Sequence, residues 1–352
     1  MQQDYQHFSQ LITDAAQQKT PLRICGSGSK NFYGRATQGA TLDTRTLSGI
    51  VSYEATELVL TARAGTPLRE IEAALDAQGQ MLAFEPPHFG SDATLGGCIA
   101  CGLSGPRRAY TGAVRDYVLG VRMIDGKGDI LRFGGEVIKN VAGYDVSRML
   151  TASLGTLGLL LDTSLKVLPK PAAEISLSFD MTEADAITAI NQWAALPLSL
   201  SASCYDKGVL TIRLSGAAAA LKSVRQKLGG EVVDKADDFW HSIKEHTHAF
   251  FNSKLPLWRL SVPSTTKSLN FTDAQLIEWG GSLRWLASNA PADSIRAAIK
   301  AAGGHATLFR ANGSTAAPFD ALTPTLLAIH KRLKHSFDPH GIFNPGRIYE
   351  DL

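Results

Sequence analysis

Residues 94–108 read T-L-G-G-C-I-A-C-G-L-S-G-P-R-R, with glycines at 96, 97, 102 and 105, hydroxyls at Thr94 and Ser104, and no acidic residue. Glycine lets a backbone approach a ligand closely and aim its N–H groups at it. With no carboxylate nearby, such a loop suits an anion. Cys25-Gly26-Ser27-Gly28-Ser29-Lys30 has the same character. Two such loops in the first third of the chain predict one phosphate-bearing cofactor held from two sides, inside a β-rich domain.

The known phosphate-binding fingerprints do not fit these loops. A dinucleotide-binding Gly26-Ser27-Gly28 needs a third glycine at position 31, where Asn31 stands, and 31–34 is a poor helix start. The chain has no Walker A sequence, no H-E-x-x-H and no G-x-S-x-G, so NTPase, zincin and hydrolase readings lose their support.

The length of 352 residues predicts two domains. A formal charge of +2, from scattered basic residues, gives no electrostatic footprint for nucleic acid. Residues 1–18 read as a polar amphipathic helix rather than a secretory leader, and no window of about 20 apolar residues predicts a membrane span. Four unevenly spaced cysteines suit the cytoplasm. Cys98-x-x-Cys101 has the spacing of a redox pair or half a zinc site. Without a second such pair or a nearby histidine it reads as two small packed residues, and no metal is expected.

Short strands are expected over 22–25, 41–43, 49–53 and 58–64, and a helix from Pro67 to Gln78. Asp125-Gly126-Lys127-Gly128 predicts a hairpin between 120–124 and 130–133. A strand over 159–168 ends at Pro169-Lys170-Pro171, the best domain boundary. Beyond it, strands over 175–179, 209–214, 257–262, 283–286 and 307–309 alternate with helices over 183–193, 217–228, 237–251, 294–302 and 322–336. The fold class is α+β. The division is 1–170, 171–335, and a tail, 336–352, that returns to the first domain.

The order of the motifs adds a resemblance. Gly26-Ser27-Gly28-Ser29-Lys30, 60–68, Asp92-Ala93-Thr94-Leu95-Gly96-Gly97, 139–145, Gly155-Thr156-Leu157-Gly158 and 337–347 stand in the order found in the vanillyl-alcohol oxidase and para-cresol methylhydroxylase (PCMH) flavoprotein superfamily. The chain resembles its glycolate oxidase flavin subunits, the shorter kind in particular, through 86–90, 103–108 and 257–263. The resemblance implies a PCMH-type two-lobed FAD-binding domain, followed by an α+β domain with an antiparallel sheet over the flavin. It implies FAD contacts at Gly26, Ser27, Gly28, Ser29, Lys30, Ser91, Asp92, Thr94, Leu95, Gly96, Gly97, Ser104 and Gly105. Further contacts are implied at Lys139, Tyr144, Asp145, Gly155, Gly158 and Leu159, with Asn344 and Arg347 closing the pocket. Covalent members often place a histidine after the first glycine run; Ser29 and Lys30 stand there, which implies non-covalent FAD.

Oxidising a 2-hydroxy acid needs a proton acceptor, hydride transfer to the flavin, and a cation for the carboxylate. Related larger subunits carry a His-Ala-Gly-Asp-Gly-Asn-Leu-His segment and a later Glu-His-Gly. Here Gly304-His305-Ala306-Thr307-Leu308 lacks the second histidine. Candidate catalytic residues are Arg259, His248 and His305. His241, Glu245 and His248 share one face of the expected 237–251 helix, as a metal half-site or as a solvated face.

The resemblance implies an FAD-dependent oxidoreductase that acts in a glycolate oxidase complex, turning glycolate into glyoxylate. Its partners would be a larger flavoprotein subunit and an iron–sulfur subunit, since this chain lacks the clustered cysteines of a [4Fe–4S] site. Any contact with the inner membrane is left to those partners. Two other functions stay open: a self-sufficient FAD-dependent oxidoreductase for 2-hydroxy acids or alcohols, and a structural subunit whose FAD mainly stabilises the fold.

Overall fold

The computed structural model describes residues 2–135 and 145–352. A five-stranded antiparallel sheet runs in the order Ile50–Glu54, Val59–Arg63, Leu159–Lys166, Val118–Ile124, Ile130–Gly134. Its middle strand is buried from Leu159 through Leu165, so both faces are covered. One face packs on Leu68, Ile71 and Leu75 of the Leu68–Asp76 helix and on Leu95, Cys98 and Ile99 of the Leu95–Cys101 helix. The other lies under Tyr5, Phe8 and Ile12 of the Gln2–Gln18 helix. That second core also takes in Leu22 and Leu42 from the parallel pair Leu22–Cys25 and Ala40–Asp43. The first glycine loop leaves this pair at Cys25.

An eight-stranded sheet, antiparallel throughout, follows in the order Glu231–Val232, Ala173–Asp180, Val209–Gly216, Leu200–Asp206, Gln275–Glu278, Leu283–Ala287, Leu257–Ser261, His305–Arg310. Side chains alternate between its faces. Trp258 and Leu260 point to one side, against Ile295 and Ile299 of the Ala292–Ala301 helix. Leu257 joins Ala202, Cys204, Leu276, Trp285 and Phe309 in the aromatic cluster of the opposite side. That cluster also holds Tyr33, Cys101, Leu103 and Leu154. The sheet is therefore pressed, face inward, onto the glycine-rich loops.

Ion pairs tie the two sheets' units together. Glu85 accepts hydrogen bonds from Arg107 and from Arg213, and Arg107 reaches Glu174 at 2.6 Å. Both arginines are buried. Trp279 Nε1 donates to the Gly105 carbonyl at 3.0 Å. The tail comes back to the start of the chain: Leu22 N donates to Ile342 O at 2.7 Å, and Asn344 N to Leu22 O at 2.9 Å. The last helix, Pro324–Phe337, leans on the first unit through Phe337 and already through Leu333, ahead of residue 336.

Four elements differ most from the sequence expectation. The strands Leu200–Asp206 and Gln275–Glu278 were not expected. Leu-Ser-Ala-Ser-Cys-Tyr-Asp is small and polar in composition, yet it is buried between two neighbours of the sheet. The expected 237–251 helix ends at Lys244, because His246 adopts φ +55° and the chain re-forms only a short turn over Ala249–Asn252. His241, Glu245 and His248 thus share no helix face. Finally, residues 95–101, expected as loop, form a helix capped by Thr94 and stopped by Gly102 at φ +64°.

Candidate functional site

The two glycine loops meet. A Cβ on Gly26 would run into Thr94 Oγ1, so only glycine allows the approach. Thr94 Oγ1 in turn accepts from Gly97 N at 3.3 Å. Between the loops opens a cleft of about 840 Å³, solvent at its mouth included. Gly26, Ser27, Gly28, Ser29, Lys30, Thr94, Gly97, Asn344 and Arg347 line it. Its charged wall residues are Arg23, Lys30 and Arg347, with no carboxylate. Among the described residues no protein acceptor takes the N–H of Ser27, Gly28 or Lys30. Free amides and cations without a counter-charge make an anion site.

A second chamber of about 500 Å³ shares Ile24, Gly26, Gly97, Ala100, Leu154 and Asn344 with the first. Gly96, Gly155 and Gly158 complete much of its wall, which carries no charged residue. An anion-binding cleft joined to a neutral apolar chamber matches the two halves of a nucleotide cofactor. The residues present therefore fit FAD.

The tail braces both chambers. Asn344, at φ +39°, receives Ile24 N on Oδ1 at 2.8 Å and donates from Nδ2 to Leu154 O at 2.7 Å. A Cβ on Gly155 would lie 2.7 Å from that Nδ2. Arg347 donates to the carbonyls of Arg35, Tyr33 and Asn31, clamping the segment after the first loop.

Other expected contacts lie elsewhere. Leu95 N and Gly96 N already donate to Thr66 O and Ala64 O. Leu95 and Leu159 are core residues. Ser91 and Asp92 are exposed, and Asp92 pairs with Arg69 at 3.0 Å. Asp145 caps the Val146–Met149 turn and pairs with Arg148. Lys139 and Tyr144 lie outside the described residues. Cys98 and Cys101 are free and buried; burial pushes their thiols up to about 12 and about 11, so neither is a ready thiolate. Among the described residues no group of three or more His, Cys, Asp or Glu is placed to hold a metal. No helix there is long and apolar enough to cross a membrane.

Ser104 and Gly105 line a third, narrower pocket, against the inner face of the large sheet. Arg259 enters it, packed 5.1 Å from the Trp279 ring centroid. Neither of the other catalytic candidates does. His248 caps the Ala249–Asn252 turn, and His305 is an exposed residue opposite Ser261 on the sheet's edge strand. Two residues outside those catalytic candidates are there instead. Glu278 is buried, accepts from Trp285 Nε1 at 2.7 Å, and has its carboxyl pushed up to about 7 by burial, against the pull of that N–H and of Arg259. His246 stacks flat on Phe251 at 3.9 Å between centroids, and burial, then Arg310 and Arg259, hold it well below the usual histidine range.

Residues 3–134 match the family described as FAD binding domain, and residues 319–348 the family described as FAD linked oxidases, C-terminal domain. The chain is 49% identical to glycolate oxidase subunit GlcE of Escherichia coli (strain K12) over 350 residues, 99% of each chain. It is 31% identical to glycolate oxidase subunit GlcD of Bacillus subtilis (strain 168) over 174 residues, 48% of this chain and 36% of that one. Its fold is that of the 4-ethylphenol oxidase of Gulosibacter chungangensis: TM-score 0.70 over 99% of this chain and 88% of the other, at 12% identity.

Proposed function

The chain belongs to the family of glycolate oxidase subunit GlcE, and from that premise we propose that it is the FAD-binding subunit of a glycolate oxidase complex. The observation that carries this reading is the cleft between the two glycine loops: unpaired amides at 27, 28 and 30, three cations and no carboxylate. The amides of Ser27, Gly28 and Lys30 would donate to the pyrophosphate, and Arg23 and Lys30 would offset its charge. The neutral chamber walled by Gly96, Gly155 and Gly158 would take the adenosine half. Asn344 and Arg347 hold the walls at fixed spacing. When bound, FAD supplies the two-electron acceptor for oxidation of a CH–OH group, and the electrons pass on through the complex.

FAD is held without a covalent bond. Neither histidine nor tyrosine lines the cleft; of its two thiols, Cys25 donates to Gly26 O at 3.4 Å and Cys101 is kept protonated by burial. The chain associates with other glycolate oxidase subunits. Its finer partners are proposed as a larger flavoprotein subunit and an iron–sulfur subunit, with glycolate as the hydroxy acid. A cytoplasmic location, with peripheral membrane contact through partners, belongs to the same proposal.

The test is co-expression of this chain with the larger subunit, followed by anaerobic mixing of the purified complex with glycolate. The expected result is co-purification and bleaching of the flavin absorbance. Failure of the two chains to associate, or a complex whose flavin does not respond, would overturn the reading.

A further inference from the structure

The third pocket carries polar groups that the packing of the chain leaves unpaired. The strand register builds it. Glu278 pairs with Leu283; two residues on, Trp285 pairs with Arg259; Arg259 pairs with Thr307, and Phe309 follows. All therefore point to the same face of the sheet. From the facing side come Phe89, Ser104 and Gly105, with Trp279 and His246 closing the ends. It is much the smaller space, about 340 Å³ with its open mouth included against about 840 Å³ for the cleft.

Its polar groups are left over. Among the described residues no carboxylate lies within ion-pair distance of Arg259, which contacts Tyr33 and the Trp279 ring. Glu278 receives one protein donor, on Oε2. His246 Nδ1 is shut from solvent and has no hydrogen-bond partner. Buried polar groups are normally paired, so three with spare capacity on one small wall point to a ligand that pairs them. A guanidinium over an indole binds a carboxylate in a planar, two-pronged fashion.

We propose that this pocket binds a small 2-hydroxycarboxylate, its carboxylate on Arg259 and its hydroxyl donating to Glu278. The proposal rests on the glycolate oxidase reading and deepens it: the chain carries a hydroxy-acid site of its own, built from residues unlike the histidine pattern of the larger relatives. Glu278 is the group placed to receive the hydroxyl proton. The charged and titratable groups around the pair are Arg259, Glu85 and Cys204 toward Glu278, and Arg310, Arg259 and Lys244 toward His246.

The test is titration of the purified full chain with glycolate and separately with acetate, under anaerobic conditions, reading intrinsic tryptophan fluorescence. Trp279 and Trp285 flank the pocket and report on it. FAD content is measured on the same preparations. Saturable quenching by glycolate, with acetate weaker, is expected. Arg259→Met should weaken glycolate by about tenfold or more. Glu278→Gln should narrow the preference for glycolate over acetate while FAD content holds. Absence of saturable quenching, equal affinity for the two acids, or unchanged glycolate binding in Arg259→Met would overturn the site. Fluorescence reads the pocket whether or not FAD is aboard. Loss of FAD would thus contradict the cofactor reading alone, and loss of the glycolate response the pocket alone.

Discussion

At the scale of single residues, Glu278 and His246 oppose each other. The folded chain keeps Glu278 protonated up to about pH 7, while an unfolded glutamate ionises near 4.5. Across that interval the folded state holds a proton that the unfolded state has lost. Stability therefore falls as pH rises, by about 3 kcal/mol in total once both forms are ionised. His246 has the reverse sign. Its folded value lies well below 6.5, so the unfolded chain takes up a proton first and stability falls as pH drops below about 6.5. Glu278→Gln should remove the loss on the alkaline side and leave a chain that weakens in acid. His246→Phe should do the opposite. Melting temperatures of the two variants and the parent between pH 4.5 and 8 check this; a Glu278→Gln profile parallel to the parent's would refute the buried, protonated carboxyl. From the sequence neither residue stands out as catalytic: His246 lies with His241, Glu245 and His248 in the expected 237–251 helix, off their shared face. Glu278 owes its meaning to a strand register that sets it beside Trp285 and Arg259, and no spacing along the chain encodes that pairing. A continuous helix would turn His246 away from 241, 245 and 248. The helix break is what carries it into the pocket.

At the scale of elements, the tail clamp is the feature with the largest energetic consequence. Lys334 is buried and donates to Asp338 at 2.6 Å, Phe343 O at 2.8 Å and Thr156 O at 2.7 Å. Asp338 accepts from the N–H groups of Ile342 and Phe343, which sets the chain into Asn344 at the cleft. Burial lowers Lys334, and Asp338 pulls it back up. Lys334→Met leaves Asp338 buried without its partner, and breaking such a pair costs about 3–5 kcal/mol. Urea unfolding of this variant measures it; a loss under about 1 kcal/mol would show that the clamp is not stabilising. Elements with strong local signals were legible: Pro67 before its helix, the Asp125–Gly128 hairpin and the apolar 159–165 strand all stand within a few residues of their expected places. The Leu95–Cys101 helix was not, because its two glycines at 96 and 97 disfavour helix and their reason is tertiary. A Cβ on Gly96 would press 2.9 Å from the Ala64 side chain.

At the scale of the whole molecule, the resemblance carried by the glycine loops and the tail anticipated an antiparallel sheet laid over a PCMH-type unit. Far apart along the chain, residues 26–30, 94–97, 155–158 and 344–347 come together around two joined chambers. The ionic latch of Glu85, Arg107, Arg213 and Glu174 then fixes the sheet against that cleft. What the motifs could not convey was which side chains the sheet presents inward, since that depends on pairing across eight strands. The most direct measurement is the flavin content of the purified chain before and after acid precipitation. About one FAD per chain, released intact into the supernatant, is expected. Colour that stays with the precipitate would contradict non-covalent binding. A colourless chain that also fails to take up added FAD would contradict the flavoprotein assignment itself.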